Sequence, residues 1–443
     1  MLFRFSLYGF LKNQQYYDPF LILAFLDKGL SFALIGLLIG FREICVNVME
    51  IPTGAVADVA GRRRAMIFSH LGYIVAFSIF AFADGMGLLL AAMFFFSIGE
   101  AFRTGTHKAI IFAWLDREGR ADEKTSVYGF TRSWSKLGSA LSVVIAAVLV
   151  FSLEEYRWVF LLSIVPYVAN IVNFLTYPAY LDGEPGRSQS IGEMTRTLLA
   201  SVRDSLSSRP LRRLLTESMG FEGTYKVCKD YLQPVVKAAA LTLPLMTGHH
   251  DRQRTAVLVG GVYCVLYVVS SIASRNADAV RRRAGDEQRG ARWLWWGDFG
   301  IFAALALGVA IGRPGIAIAA FVLLSILQNF WRPILISRVA DRVDPQRTAT
   351  VLSIESQAKA LFAAVMAPLM GLAVDFILKV GPALGVEAEK LPDTLRFLPV
   401  GLIGLLVAGI MLATAPRANG KPKPAAAEAN EQTQTEGDEN NAE

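Results

Sequence analysis

Gly54-Ala55-Val56-Ala57-Asp58-Val59-Ala60-Gly61-Arg62-Arg63-Arg64 separates two long apolar stretches, 32–53 and 65–83, and its reading decides the fold. Three consecutive arginines do not sit in hydrocarbon, where a charged side chain costs about 2.5–3.5 kcal/mol or more at mid-span. They mark a point where the chain leaves the bilayer and turns back. Gly61 permits the turn, Gly54 lets two helices approach closely, and Asp58 can face the positive N-terminus of a neighbouring helix. A tight basic turn between two apolar stretches is a membrane hairpin.

The same alternation runs through the whole chain. Of 443 residues, 53% are hydrophobic and only 19% charged, with a mean hydropathy of +0.40, too little charge for a soluble protein of this length. A helix crosses the hydrocarbon in about 20 mostly apolar residues. Twelve spans fit, at about 3–26, 32–53, 65–83, 87–111, 126–150, 158–179, 211–234, 254–273, 293–311, 315–336, 348–375 and 394–413. The first is interrupted by Lys12-Asn13-Gln14-Gln15 and Pro19, and residues 27–31 read as a tight turn after it. The expected fold is therefore all-α and membrane-embedded.

Arginine and lysine set the orientation. With both termini inside the cell, the inner connections hold Arg62 to Arg64, then Arg117, Arg120 and Lys124, then the basic residues of 187–213, 275–292 and 338–347. The opposite connections hold only scattered cations such as Lys28, Arg157 and Arg313. That asymmetry predicts a multi-pass protein of a bacterial inner membrane with cytoplasmic termini. The net charge of +6 is spread over these loops, so it suggests topology and not a nucleic-acid partner. Trp114, Trp158 and Trp293 fall near span ends, where interfacial anchors belong. No cleavable leader is read at the N-terminus. Cys45, Cys228 and Cys264 lie within spans and read as packing residues.

A long connection after the sixth span divides the chain into six-span bundles at 1–180 and 211–415. The intervening 181–210 segment is the expected cytoplasmic linker, with Ile191, Met194, Leu198 and Val202 at amphipathic spacing, and 416–443 reads as a disordered tail. A degraded echo of the opening stretch, Ser274-x-x-x-Asp278-x-x-Arg281-Arg282-Arg283, starts 220 positions after Gly54 and points to internal duplication. The 54–64 stretch, in its place after the second span, resembles the loop signature of the major facilitator superfamily. The resemblance implies twelve helices in two pseudo-symmetric bundles, alternating access, and a cytoplasmic gate that latches helix ends through Gly54, Asp58, Gly61, Arg62 and Arg63. Asp116 is the expected partner of the arginines, and Asp58 is expected to face the start of span eleven near Thr348.

Intramembrane charge identifies the candidate site without any motif. Lys12, Arg42, Glu43, Lys136, Glu222 and Lys359 come out near the bilayer midplane, with Glu100, Arg103, His107, Arg132, Glu217, Lys226 and Glu355 nearer the faces. Spans three, six, nine and twelve carry only His70, Arg157 and Asp298, placed near their ends. The resemblance makes those four spans peripheral, so the two distributions agree. Arg42 and Glu43, being adjacent, are expected to pair with other helices; Glu100 with Arg103, and Glu222 with Lys226, have the spacing of pairs along one helix. Lys12, Arg132, Lys136 and Lys359 are the candidate substrate-binding residues. Arg132 and Lys136 share a helix face and repel one another unless an anion compensates them, so an anionic or zwitterionic solute is expected. Glu43, Glu222, Glu100 and Arg103 are the candidate coupling residues, the carboxylates taking a proton.

The expected function is secondary transport of a small molecule, coupled to protons, by a monomer in the lipid bilayer. Two other readings stand beside it: efflux of lipophilic compounds, and a sensor or assembly factor that keeps the fold without transport. Against efflux, the fifth span reads Lys136-Leu137-Gly138-Ser139, without the Gly-Pro stretch typical of drug antiporters of that superfamily. Catalytic spacings, zinc patterns and phosphate loops are missing from the sequence, so neither an enzyme nor a cofactor is expected. His249-His250-Asp251 reads as a solvated loop and not a metal site.

Overall fold

The computed structural model describes residues 1–182, 192, 196, 202–203, 205–244, 246–284, 287–343, 345–383 and 393–414. The amphipathic stretch expected within 181–210 and the tail at 416–443 fall largely outside them. Ten helices are long and apolar enough to cross a bilayer. Spans two and three are Phe32–Ala60 and Arg62–Phe82, and span four is Met86–Arg103 continued by Thr106–Arg117. Spans five and six are Lys124–Leu153 and Arg157–Leu175. Spans eight to eleven are Asp251–Ala284, Glu287–Ala310, Pro314–Ala340 and Pro345–Ala383, and span twelve centres on Leu398–Ala413. The remaining two crossings are broken helices. Span one is Leu2–Lys12 and Leu21–Asp27, joined by a short 3-10 turn; span seven runs in pieces from Arg209–Ser218 to Leu232–Thr242. The chain thus has twelve transmembrane helices, the first and seventh interrupted in matching positions of the two halves.

Backbone groups freed by a break inside a membrane must be satisfied by protein, since lipid offers no partner. Here span seven supplies partners for the break in span one. Gln233 of span seven accepts from the Ile22 amide at 2.8 Å and donates to the Asp18 carbonyl at 2.8 Å, and Gln14 donates to the Gly138 carbonyl of span five at 3.2 Å. A third break, at Thr104 and Gly105 in span four, relies on a glycine at φ +77.

The 54–64 stretch differs from its expected form. Span two continues as helix through Ala60, and the connection is a single residue, Gly61 at φ +96. A Cβ at Gly54 would meet nothing within 4 Å, so Gly54 mediates no close helix contact in this conformation. The echo at Ser274 to Arg283 is helical throughout, because it lacks the glycine that turns the chain at Gly61. Interior placement also corrects two peripheral spans. His70 and Asp298 lie mid-span, not near the ends, and both turn inward, at 0% and 2% exposure. Trp114 is likewise buried, edge-on to Phe5 at 5.5 Å, instead of anchoring at the lipid interface.

The halves meet most closely at the face opposite Met1. Backbone of Gly36 and Gly40 in span two lies against Ala367 and Ala364 in span eleven, and Gly371 lies against Phe32. Asp375 of span eleven caps the start of span two, accepting from the Phe32 amide at 3.1 Å and the Ala33 amide at 2.8 Å. Beyond them Arg252 meets Asp27 at 2.6 Å and His250 meets Glu154 at 2.7 Å. Small residues drive such packing in lipid, where close backbone approach replaces the hydrophobic effect. A Gly371→Val side chain therefore overlaps the Phe32 backbone and should cost about 1–3 kcal/mol, read as a lower melting temperature in detergent. Gly54→Val, whose Cβ enters open space, should leave it unchanged.

Candidate functional site

Two adjoining cavities occupy the Met1-side half of the molecule. One, of about 430 Å³, is lined by Lys12, Arg103, His107, Lys108, Arg132 and Lys136 among others. The second, of about 1010 Å³, lies between the halves and shares Arg132 and Lys136, adding Arg275, Asn329 and Arg332. Among the described residues, neither lining includes a carboxylate. Lys12 is carried to the cavity by the end of the first helical piece of span one, where the helix stops at Asn13. Arg132 and Lys136 are one turn apart on span five, held close to span one because Gly138 lies against the Phe10 backbone. Lys136 reaches the Ser274 hydroxyl of span eight at 3.4 Å. Lys12, Arg132, Lys136 and Arg275 form no ion pair among the described residues, so they stand at the cavities without a compensating side-chain charge.

Lys359 behaves differently. It lies 2.5 Å from Glu222 and 2.8 Å from Glu355, both of which are also held by Arg332, at 3.2 and 2.9 Å. Ser218 donates to Glu355 as well. Two acids and two bases from spans seven, ten and eleven thus compensate one another beneath the larger cavity. Lys359 is grouped with these paired charges and not with the free cations of span five. Arg332, absent from the expected set, is the one member of the cluster that also lines the cavity. Its sequence signal was an arginine inside the expected tenth span, between Trp331 and Pro333 and just after Gln328 and Asn329.

Other pairs correct the expected ones. Arg42 and Glu43 do pair with each other, at 2.7 Å, because the long guanidinium stem folds back to its neighbour. Glu43 also takes Lys226 of span seven, at 2.5 Å. The expected Glu222–Lys226 pair is not formed. A π-helical turn at Met219–Gly223 changes the register between those residues, sending Glu222 to one side and Lys226 to the other. Glu100 pairs with Arg103 as expected, and Tyr73 donates to Glu100 while Arg103 reaches the Tyr73 oxygen at 3.2 Å. The break at Gly105 removes His107 from that face, and its ring packs on Tyr8 at 3.9 Å.

At the Met1 face, Arg63 meets Asp182 at 3.2 Å, its amide donates to the same carboxylate at 3.0 Å, and its guanidinium also holds the Tyr177 carbonyl. Arg62 reaches the Ala109 carbonyl at 3.5 Å. Asp116, the expected partner, is instead paired with Lys124 at 2.6 Å. The arginines in this conformation tie span three to the end of span six within one half. The Asp58 side chain lies outside the described residues.

A two-bundle membrane fold with broken first and seventh helices around a polar cavity is the architecture of an alternating-access carrier. The profile of the Major Facilitator Superfamily matches residues 13–368, and the chain belongs to that family of transporters. An uncharacterized MFS-type transporter, YxaM of Bacillus subtilis (strain 168), is 27% identical over 106 residues, 24% of this chain and 26% of the relative. Among solved structures, the nucleoside transporter NupG aligns at a TM-score of 0.73 with 12% identity, over 93% of this chain and 98% of that one. A D-xylose-proton symporter aligns at 0.62 with 14% identity, over 95% and 99%. At such identities the solved structures establish the fold alone.

The Glu222, Glu355, Lys359 and Arg332 cluster makes a direct stability test. Lys359→Gln leaves the nearly inaccessible Glu355 with less compensation and should cost about 3–5 kcal/mol, seen as a drop in melting temperature. Adding Glu222→Gln should recover a large part of the loss; a double variant no better than additive would show that the two do not act as a pair.

Proposed function

We propose that this transporter carries a small anionic or zwitterionic solute by alternating access, coupled to protons. The observation that carries the reading is the lining of the two cavities: Lys12, Arg132, Lys136 and Arg275 converge on them, with no carboxylate among the described residues of either lining. Lipophilic cations meet only like charge there, which disfavours drug efflux of the cationic type. A carboxylate or phosphate would satisfy Arg132 in bidentate fashion and pull Lys136 from Ser274. The positive-inside distribution makes the Met1 face the cytoplasmic one, so this conformation is closed outward and opens inward. The family gate residues Gly54, Asp58, Gly61, Arg62 and Arg63 then belong to the inner side, and Arg62 and Arg63 are bonded within their own half in this state.

Coupling follows from Arg332. An anion that draws Arg332 into the cavity deprives Glu222 and Glu355 of one of their two cations, and a carboxylate less well compensated in a low-dielectric site binds a proton more readily. Anion and proton would then cross together. Glu222, more exposed than Glu355, is the carboxyl that accepts the proton in this scheme.

Proteoliposomes with an alkaline lumen, offered a panel of carboxylates and organic phosphates beside a panel of lipophilic cations, test both parts. Only the anion panel should be accumulated. Lys136→Ala should reduce that uptake about tenfold or more, as loss of a charge-assisted contact implies. Glu222→Gln should keep substrate counterflow and lose acceleration by the pH gradient. Accumulation of cations alone, or proton-driven uptake undiminished in Glu222→Gln, would overturn the reading.

A further inference from the structure

A second basic pocket lies away from the transport cavities, on the outer flank of the C-terminal half at the Met1 face. It has a volume of about 380 Å³ and is built from spans seven, nine, ten and twelve. Among the described residues, four arginines line it, Arg213, Arg289, Arg292 and Arg338, against a single carboxylate, Glu217. Glu217 is already shared, 2.7 Å from Arg213 and 2.6 Å from Arg338. Arg338 is 6% exposed, and its Nε has no hydrogen-bond partner among the described residues. Trp295, 4% exposed in the same lining, has an equally unpartnered Nε1. Buried donors of this kind are rarely left unsatisfied, and here both belong to residues of one cavity lining.

The outer wall has the chemistry of a membrane interface. Arg289, Arg292, Trp293 and Trp296 recur at helical spacing on span nine and are all exposed, so they form one stripe. The two arginines hold no ion pair among the described residues. The tryptophans are 56% and 57% exposed, at the first turns of a span, where headgroups meet acyl chains. Met411 and Leu412 of span twelve give the pocket an apolar edge. An inorganic anion would use the arginines alone. A ligand that uses the whole lining has a negatively charged head and an apolar body.

We infer that this pocket binds the headgroup of an anionic glycerophospholipid from the leaflet at the Met1 face, the phosphodiester between Arg289, Arg292 and the free edge of Arg338, and the acyl chains along Trp293 and Trp296. Guanidinium groups suit a phosphodiester because they can donate two parallel hydrogen bonds. The lipid then joins span nine to spans seven, ten and twelve at the end where span seven begins its broken course.

Native mass spectrometry of the full chain, released from micelles containing equal phosphatidylglycerol and phosphatidylcholine, tests the inference. The wild type should retain phosphatidylglycerol preferentially. Arg289→Gln/Arg292→Gln should weaken that retention about thirtyfold, two surface cations being lost, while its melting temperature in phosphatidylcholine nanodiscs stays that of the wild type. Arg289→Lys/Arg292→Lys should recover part of the binding. Equal retention of the two lipids, or a glutamine variant that binds as well as the wild type, overturns the inference. Displacement of phosphatidylglycerol by millimolar inorganic phosphate, with phosphate itself remaining bound, assigns the pocket to a free anion and overturns it also.

Discussion

A charge placed within hydrocarbon must meet an opposite charge or water, and the arrangement of this protein follows from how each of its interior charges meets that demand. Glu43 is clasped by Arg42 and Lys226, Glu100 by Arg103, and Glu222 and Glu355 by Lys359 and Arg332. The Lys226–Glu43 pair crosses between the halves, and Arg332 and Lys359 join spans seven, ten and eleven through Glu222 and Glu355, so these pairs help set which helices lie together. Lys12, Arg132, Lys136 and Arg275 lack such partners among the described residues and stand around cavities instead. The interior is therefore divided into a compensated part that holds the bundle and an uncompensated part that is open to a solute.

Helix breaks make this division possible. An unbroken helix fixes charges at 100° steps, and neighbours three or four residues apart tend to pair with each other. The π turn in span seven frees Glu222 from Lys226, so that one serves the cluster with Lys359 and the other bridges to Glu43. The break after Lys12 ends a helix where an ammonium can enter the cavity, and Gln233 satisfies the Ile22 amide and the Asp18 carbonyl left over. Irregular backbone is tolerated at membrane depth because side chains of other spans supply the missing partners, Gln233 for span one and Gln328, at 3.3 Å from the Phe221 carbonyl, for span seven.

Much of the fold was legible in the sequence. Apolar runs located the spans, and the Lys12-Asn13-Gln14-Gln15 interruption marked the break in the first helix. What sequence could not supply was the choice among competing partners. Spacing offers Lys226 to Glu222, but Glu43 lies 183 positions away in sequence and 2.5 Å away in space. Arg63 likewise takes Asp182 and not Asp116, since the choice depends on which helix ends converge. Arg332 escaped notice because it stands close to the end of the expected tenth span, 315–336, where an arginine reads as interfacial. His70 and Asp298 seemed terminal because boundaries drawn from hydropathy shifted by several residues.

The claim on which the rest turns is that the inter-bundle cavity is wet, cationic and reached from the Met1 face. Ser133, exposed in its lining, reports on all three properties. With Cys45, Cys228 and Cys264 replaced by alanine, Ser133→Cys can be labelled with anionic and cationic methanethiosulfonates of similar size, each rate referred to a free thiol in water. The anionic reagent should react several times faster than the cationic one on that scale, by field focusing in a charged cleft. The preference should fall in Arg132→Gln/Lys136→Gln, and labelling should come from the Met1 side of the membrane. Equal relative rates, or preference for the cationic reagent, would contradict a cationic cavity and with it the assignment of an anionic cargo.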